Sequence, residues 1–119
     1  MGTFNRDNTD LAVDLDSAGQ QHRAEAGGMT IALERWNAGL DTAEWFAELP
    51  DGACQEPHWG YCLKGRVTMR YTDGETEVIS AGNAYYIRPG HNAHIDDDGT
   101  EFVEFTRADE TPGINTIAV

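Results

Sequence analysis

Short runs of β-branched and aromatic residues alternate with turn-forming residues along most of this chain, and this spacing limits the folds that it can adopt. The clearest runs are HWGYCLK at 58–64, RVTMRYT at 66–72, TEVIS at 76–80, NAYYIR at 83–88 and EFVEFTR at 101–107. Short strands with a turn signal roughly every eight to twelve residues are typical of an all-β sandwich or barrel. An earlier run, TIALERW at 30–36, fits the same pattern.

The strongest turn signal is Asp73-Gly74, between two of these runs. An Asp-Gly pair supplies the positive φ angles of a tight two-residue hairpin turn, so we expect a hairpin here. Further turns are predicted at Ala81-Gly82, at Pro89-Gly90 and at Asp98-Gly99.

Three segments are harder to interpret. AEWFAEL at 43–49 is favoured as a strand, because the window between Leu40 and Pro50 is short for a helix. NTIAV at 115–119 is either a last strand or a docked tail. Residues 1–28 are polar and weakly patterned, which predicts an N-terminal arm, and residues 29–119 then form a single barrel domain.

Charge and hydropathy exclude several classes of function. The chain has 119 residues with 21 acidic and 8 basic side chains, a formal net charge of −13, which disfavours binding to nucleic acid. No apolar run approaches the ~20 residues that a membrane crossing needs. The first residues show neither a basic start nor an apolar block, so we expect a cytoplasmic protein with Cys54 and Cys62 reduced.

Two short segments carry the residues that suit metal chemistry. The first runs from Cys54 through Glu56 to His58, and the second holds His91 and His94. Thiolate, imidazole and carboxylate groups all bind divalent ions. In a straight strand Cys54 and His58 would lie ~13 Å apart, too far to share an ion. Pro57 makes a bend between them plausible, because proline removes a ladder donor and restricts the residue before it.

These segments resemble the two motifs of a small, single-domain, RmlC-like cupin, of the subgroup that reads HWGY-LKG and PGH. Counting back from Gly65, His58 occupies the family's glutamate position and Cys54 the position of its second histidine. The second motif begins at Gly82. Its expected histidine falls on Ala93, with His91 and His94 on either side.

The resemblance implies a double-stranded β-helix, the jelly-roll barrel of cupins. It also implies a divalent ion (Fe, Zn, Ni or Mn) held by Cys54, His58 and His91. His94 or Glu56 would be a fourth ligand or a neighbour that orients a ligand. Small cupins resemble one another in pairing through sheet edges and N-terminal arms, so a homodimer is expected.

Strand periodicity sorts the candidate residues by face. His91 and His94 are three apart, so only one of them faces inward in a regular strand, and the PGH resemblance favours His91. Tyr85 and Tyr86 face opposite ways, as do Glu101 and Glu104. The candidates for the pocket wall are Cys62, Tyr85 and Glu104, and Cys62 is also expected to be a small buried hydrophobe.

Two functions stay open at this point. The first is a metal-dependent enzyme, dioxygenase-like or isomerase-like, that acts on a small organic metabolite. The second is a non-catalytic, metal-free module that binds a small molecule. A metal with only a structural role is a third reading, in which its removal would sharply lower the melting temperature.

Overall fold

The structure is a computed structural model that describes residues 2–108. Within this part of the chain all regular elements are β-strands, apart from three single turns of 3₁₀ helix at Asp16–Ala18, Thr42–Glu44 and Pro50–Gly52. The strands are β1 (Asp10–Asp14), β2 (Gly19–Ala26), β3 (Met29–Trp36), β4 (His58–Lys64), β5 (Arg66–Tyr71), β6 (Thr76–Ser80), β7 (Ala84–Ile87), β8 (His91–Ile95) and β9 (Thr100–Arg107). The predicted strand or tail at 115–119 lies outside the described residues.

The strands form two antiparallel sheets. The larger has the order β1-β2-β3-β9-β4-β7 and the smaller the order β6-β5-β8. Apolar side chains from both sheets pack into one core, which includes Trp36, Met69, Ile95 and Phe102. The predicted all-β class is confirmed. No helix within residues 2–108 is long and apolar enough to cross a membrane.

The N-terminal residues are part of the larger sheet. β2 pairs with β3 over its full length, from Gly19 opposite Trp36 to Ala26 opposite Met29, and β1 pairs with β2. The boundary that the sequence predicts at residue 28 therefore falls in the turn between two paired strands. The sequence of β2 shows little apolar alternation, because its inward-facing residues include the polar Gln21, which is fully buried.

The strand predicted at 43–49 is wrong. Thr42–Glu44 forms a 3₁₀ turn, and Asp41 caps it by accepting a hydrogen bond from the backbone N–H of Ala43 at 2.9 Å. The aromatic residues of this segment pack as a cluster, with the Trp36 and Trp45 ring centroids 5.7 Å apart. Local capping and aromatic packing thus override the strand propensity.

The hairpin between β5 and β6 is present, but its loop is longer than predicted. The Tyr71 N–H donates to the Glu75 carbonyl at 2.9 Å, so residues 72–74 form a three-residue loop. Gly74 alone takes a positive φ, at 91°. This is the common hairpin in which a turn is followed by a left-handed glycine.

Candidate metal centre

Three of the predicted ligands meet in the interior. Cys54, His58 and His91 each offer a ligand atom, and these atoms all lie within 4.8 Å of one another. The Cys54 Sγ is 3.6 Å from the His58 Nε2. All three residues are buried, with 2% of Cys54 exposed and none of either histidine.

The bend predicted at Pro57 brings Cys54 to this place. β4 begins only at His58, and Cys54 belongs to the loop before it, where it forms an isolated bridge with His91. The Cys54 N–H donates to the His91 carbonyl at 2.9 Å, and the Gly90 N–H donates to the Cys54 carbonyl at 2.8 Å. The backbone therefore holds the thiol beside the start of β8.

Each imidazole is oriented through its Nδ1. The His91 Nδ1 lies 2.8 Å from the Arg88 carbonyl, which can only accept, so this nitrogen carries the proton and Nε2 keeps its lone pair. The His58 Nδ1 lies 2.7 Å from the Thr106 hydroxyl. Such bonds to the second ring nitrogen fix the tautomer of metal-binding histidines.

Burial favours the neutral forms of Cys54 and His58. It lowers the pKa of His58 well below its ordinary value, and a charge on His91 would act in the same direction. Burial also raises the pKa of the Cys54 thiol to about 12, an effect to which the negative charges of Glu56 and Glu104 add. The thiol therefore loses its proton only when a cation replaces it.

Asn92 ties the loop that carries Cys54 to the strand that carries His91. Its Oδ1 accepts a hydrogen bond from the Thr42 hydroxyl at 2.9 Å, and its Nδ2 donates to the Gly52 carbonyl at 2.9 Å. The same Thr42 hydroxyl accepts from the Ala93 N–H at 2.9 Å. This clamp joins both 3₁₀ turns of the loop to β8.

Glu104 and Tyr85 lie next to the cluster. The Tyr85 hydroxyl donates to the Glu104 Oε1 at 2.9 Å, and the Glu104 Oε2 lies 3.7 Å from the His58 Nδ1. Gly60 permits this contact, because a Cβ at this position would lie 2.5 Å from the Tyr85 ring. Burial, followed by the nearby charge of Glu34, raises the pKa of Glu104 well above its ordinary value.

Two further residues predicted for the pocket, Cys62 and Glu56, are also buried. Cys62 is fully buried in the apolar core, where its S–H donates to the Lys64 carbonyl at 3.3 Å. Together with Tyr85 and Glu104 it lines a cavity of about 10 Å³, which has room for about one water-sized molecule. Glu56 is 98% buried beside Cys54 and acts on the thiol through its charge.

His94 lies away from the cluster, on the opposite face of β8. Its side chain is 39% exposed, and its Nδ1 is 3.0 Å from Asp96. The two histidines face opposite ways, as their spacing predicted, and His94 lies outside the cluster of Cys54, His58 and His91.

Three residues of this region were not predicted from the sequence. Thr106 follows Glu104 by two positions on the buried face of β9, so its alternation could have revealed it. Glu34 is buried on β3, where the Trp36 indole N–H donates to its Oε1 at 2.8 Å. Asn92 gave no signal, because its two partners lie far away in the sequence.

The donor set suits a divalent ion such as zinc in residue type and in spacing. Zinc bound at about 2.3 Å to sulfur and about 2.0 Å to nitrogen with tetrahedral angles holds these two atoms about 3.5 Å apart. The Cys54 Sγ and the His58 Nε2 lie 3.6 Å apart, and all three ligand atoms lie within 4.8 Å of one another. The cluster could therefore hold a metal ion.

Comparison with known proteins shows the fold. No protein-family model and no curated protein sequence matches the chain. Among solved structures, an RmlC-like cupin from Shewanella frigidimarina aligns with 90% of this chain and 91% of its own, at 15% identity and a TM-score of 0.60. KdgF from Halomonas sp. aligns with 89% and 94%, at 17% identity and a TM-score of 0.63. A variant of oxalate decarboxylase from Bacillus subtilis aligns with the whole chain, at 17% identity and a TM-score of 0.64, but over only 34% of its own length.

The chain thus has a small RmlC-like cupin fold, and the jelly-roll barrel predicted from its sequence is confirmed.

Proposed function

We propose that this protein is a metal-binding cupin whose barrel holds one divalent ion through Cys54, His58 and His91, and that it acts on or binds a small organic metabolite. The convergence of three buried donor atoms within 4.8 Å carries the proposal. A buried cluster of one thiol and two imidazoles is an unusual arrangement for a structural core alone, since polar groups are costly to bury.

The side chains around the cluster prepare it for an ion. The Arg88 carbonyl accepts a hydrogen bond from the His91 Nδ1, and the Thr106 hydroxyl holds the His58 ring through its Nδ1, so both rings are oriented through this nitrogen. The thiol gives up its proton on binding, which makes the affinity depend on pH. When bound, the ion would supply Lewis acidity toward a substrate oxygen or water.

The number of ligands favours an enzyme over a purely structural metal site. Three protein ligands leave a coordination position open, as in catalytic zinc sites, whereas structural zinc sites have four. The adjacent pair of Tyr85 and Glu104 can hold a proton next to His58. A dioxygenase-like or isomerase-like reaction is consistent with this arrangement.

One observation favours the alternative, a metal-free module that binds a small molecule. The Cys54 Sγ and the His58 Nε2 lie 3.6 Å apart, which also suits an S–H···N hydrogen bond. Without an ion, this bond would satisfy both groups.

Metal content separates the two functions. Protein purified without an affinity tag or chelator is analysed by elemental mass spectrometry, and then titrated with ions after stripping. The first function predicts close to one equivalent of iron, zinc, nickel or manganese per chain, lost in Cys54→Ser and kept in Cys62→Ser. Absence of metal together with no uptake on reconstitution supports the module instead.

The homodimer and the cytoplasmic location stay predictions. Multi-angle light scattering across the micromolar range tests the homodimer, which a monomer at every concentration would rule out.

A further inference from the structure

The cluster of donors among residues 2–108 has no oxygen atom. It consists of the Cys54 sulfur and one nitrogen from each of His58 and His91. Two buried carboxylates lie near the cluster, but neither is one of its donors. Glu104 accepts a hydrogen bond from Tyr85, and Glu56 acts on the thiol through its charge.

Backbone hydrogen bonds hold the Cys54 sulfur beside the two imidazoles. Cys54 and His91 form a bridge with main-chain bonds of 2.9 Å and 3.2 Å, and the Asn92 side chain ties the same loop to β8. The thiol and the His91 imidazole therefore approach an ion together. An ion that binds poorly to sulfur cannot use the two imidazoles without also meeting the thiol.

We propose that Cys54 makes this centre selective for a thiophilic divalent ion, Zn²⁺, over Mn²⁺ and Mg²⁺. Thiolate ligands favour zinc and copper(I), imidazole suits zinc and copper as well, and manganese and magnesium prefer carboxylate, carbonyl and water oxygens. The inference rests on the proposed metal centre and narrows the ions that it takes.

A preference for zinc over manganese is not by itself diagnostic. Most sites built from nitrogen, oxygen and sulfur bind Zn²⁺ more tightly than Mn²⁺. The informative quantity is the change in the ratio of the two affinities when the sulfur is replaced by an oxygen donor.

The test measures the affinities of the stripped protein for Zn²⁺ and Mn²⁺ by competition with a chelator. Cys54→Asp puts a carboxylate in place of the thiol, and Cys62→Ser is the matched control, since Cys62 is also fully buried but lies in the apolar core. We expect the Zn²⁺-to-Mn²⁺ affinity ratio to fall by more than about tenfold in Cys54→Asp, because even groups that only support a ligand change metal affinity by 10–100-fold. The Cys62→Ser ratio should match that of the unmodified chain.

A spectroscopic measurement on the unmodified chain does not depend on whether Cys54→Asp folds. Co²⁺ bound through Cys54 gives a thiolate-to-cobalt charge-transfer band, which we expect to see also in Cys62→Ser. Bound Co²⁺ without this band, or an unchanged affinity ratio in a folded Cys54→Asp, would overturn the selectivity proposal while leaving a metal centre in place. Failure of every ion to bind would instead overturn the metal centre itself.

Discussion

β8 carries one histidine on each face, and the two side chains have very different surroundings. His91 is fully buried, meets a thiol and a second imidazole, and has its tautomer fixed by a backbone carbonyl. The His94 side chain is 39% exposed, and its Nδ1 lies 3.0 Å from Asp96, which also accepts a hydrogen bond from Thr68 at 2.6 Å. The comparison teaches that convergence and burial of the donors, more than residue type, define the candidate site.

The largest expected effect is on metal binding itself. His91→Ala removes one of three ligands, so the bound ion should fall from about one equivalent to none, whereas His94→Ala should leave it unchanged. Elemental analysis after dialysis checks both variants. Equal loss of bound metal in the two variants would contradict the assignment of His91, and not His94, as a ligand.

The second prediction compares a fully buried carboxylate, Glu34, with a partly exposed one, Asp96. Burial raises the pKa of Glu34 to about 7, from an ordinary value of 4.5. Between these two pH values the folded chain keeps a proton on Glu34 that the unfolded chain loses. The stability that depends on a neutral Glu34 is therefore full below about pH 4.5 and is lost as the pH rises toward 7. The stability advantage over Glu34→Gln should therefore fall by about 3 kcal/mol across that window.

Urea unfolding of the metal-free protein at several pH values measures this change. Asp96→Asn on the exposed side is the control. Burial acts on Asp96 too, but its partners lower its pKa, so its contribution is lost at more acidic pH. A pH-independent difference between the native chain and Glu34→Gln would contradict the prediction.

A smaller effect is expected from the clamp that positions the ligands. Asn92→Ala removes the hydrogen bonds to Thr42 and Gly52, so the loop that holds Cys54 should loosen and metal affinity should fall by about 10–100-fold. Asn37 is a matched control, because it bridges Ser17 and Gly99 in the same way but away from the cluster. Chelator competition should show the loss in Asn92→Ala alone, and a similar loss in Asn37→Ala would point to general destabilisation.

The smallest effect is expected on the outer face. The pair of His94 and Asp96 is partly exposed, so its removal should change stability by less than about 1 kcal/mol, and added salt should reduce even that. Thermal unfolding of His94→Gln at low and high salt measures it. A larger loss that salt does not change would show that this face has a structural role of its own.

The sequence predicted the parts of the molecule that depend on local rules. Turn glycines and strand alternation revealed most strands after residue 58, and the same alternation separated His91 from His94. Pro57 revealed the bend that brings Cys54 to His58. Each of these features can be read within a few residues.

Features that depend on distant contacts were not predictable in this way. β2 buries the polar Gln21 against β3, so its sequence lacks the usual apolar alternation. The window between Leu40 and Pro50 is short for a helix and so favours a strand at 43–49, and nothing local shows that Trp45 packs on Trp36 instead. The Asn92 clamp joins residues that only the fold brings together.

X-ray absorption at the zinc edge tests the central claim most directly, because it counts the atoms bound to the ion. Zinc-loaded protein should show one sulfur at about 2.3 Å and nitrogen ligands at about 2.0 Å. The sulfur should disappear in Cys54→Ser and remain in Cys62→Ser. A shell of oxygen and nitrogen alone in the unmodified chain would contradict a centre built from Cys54, His58 and His91.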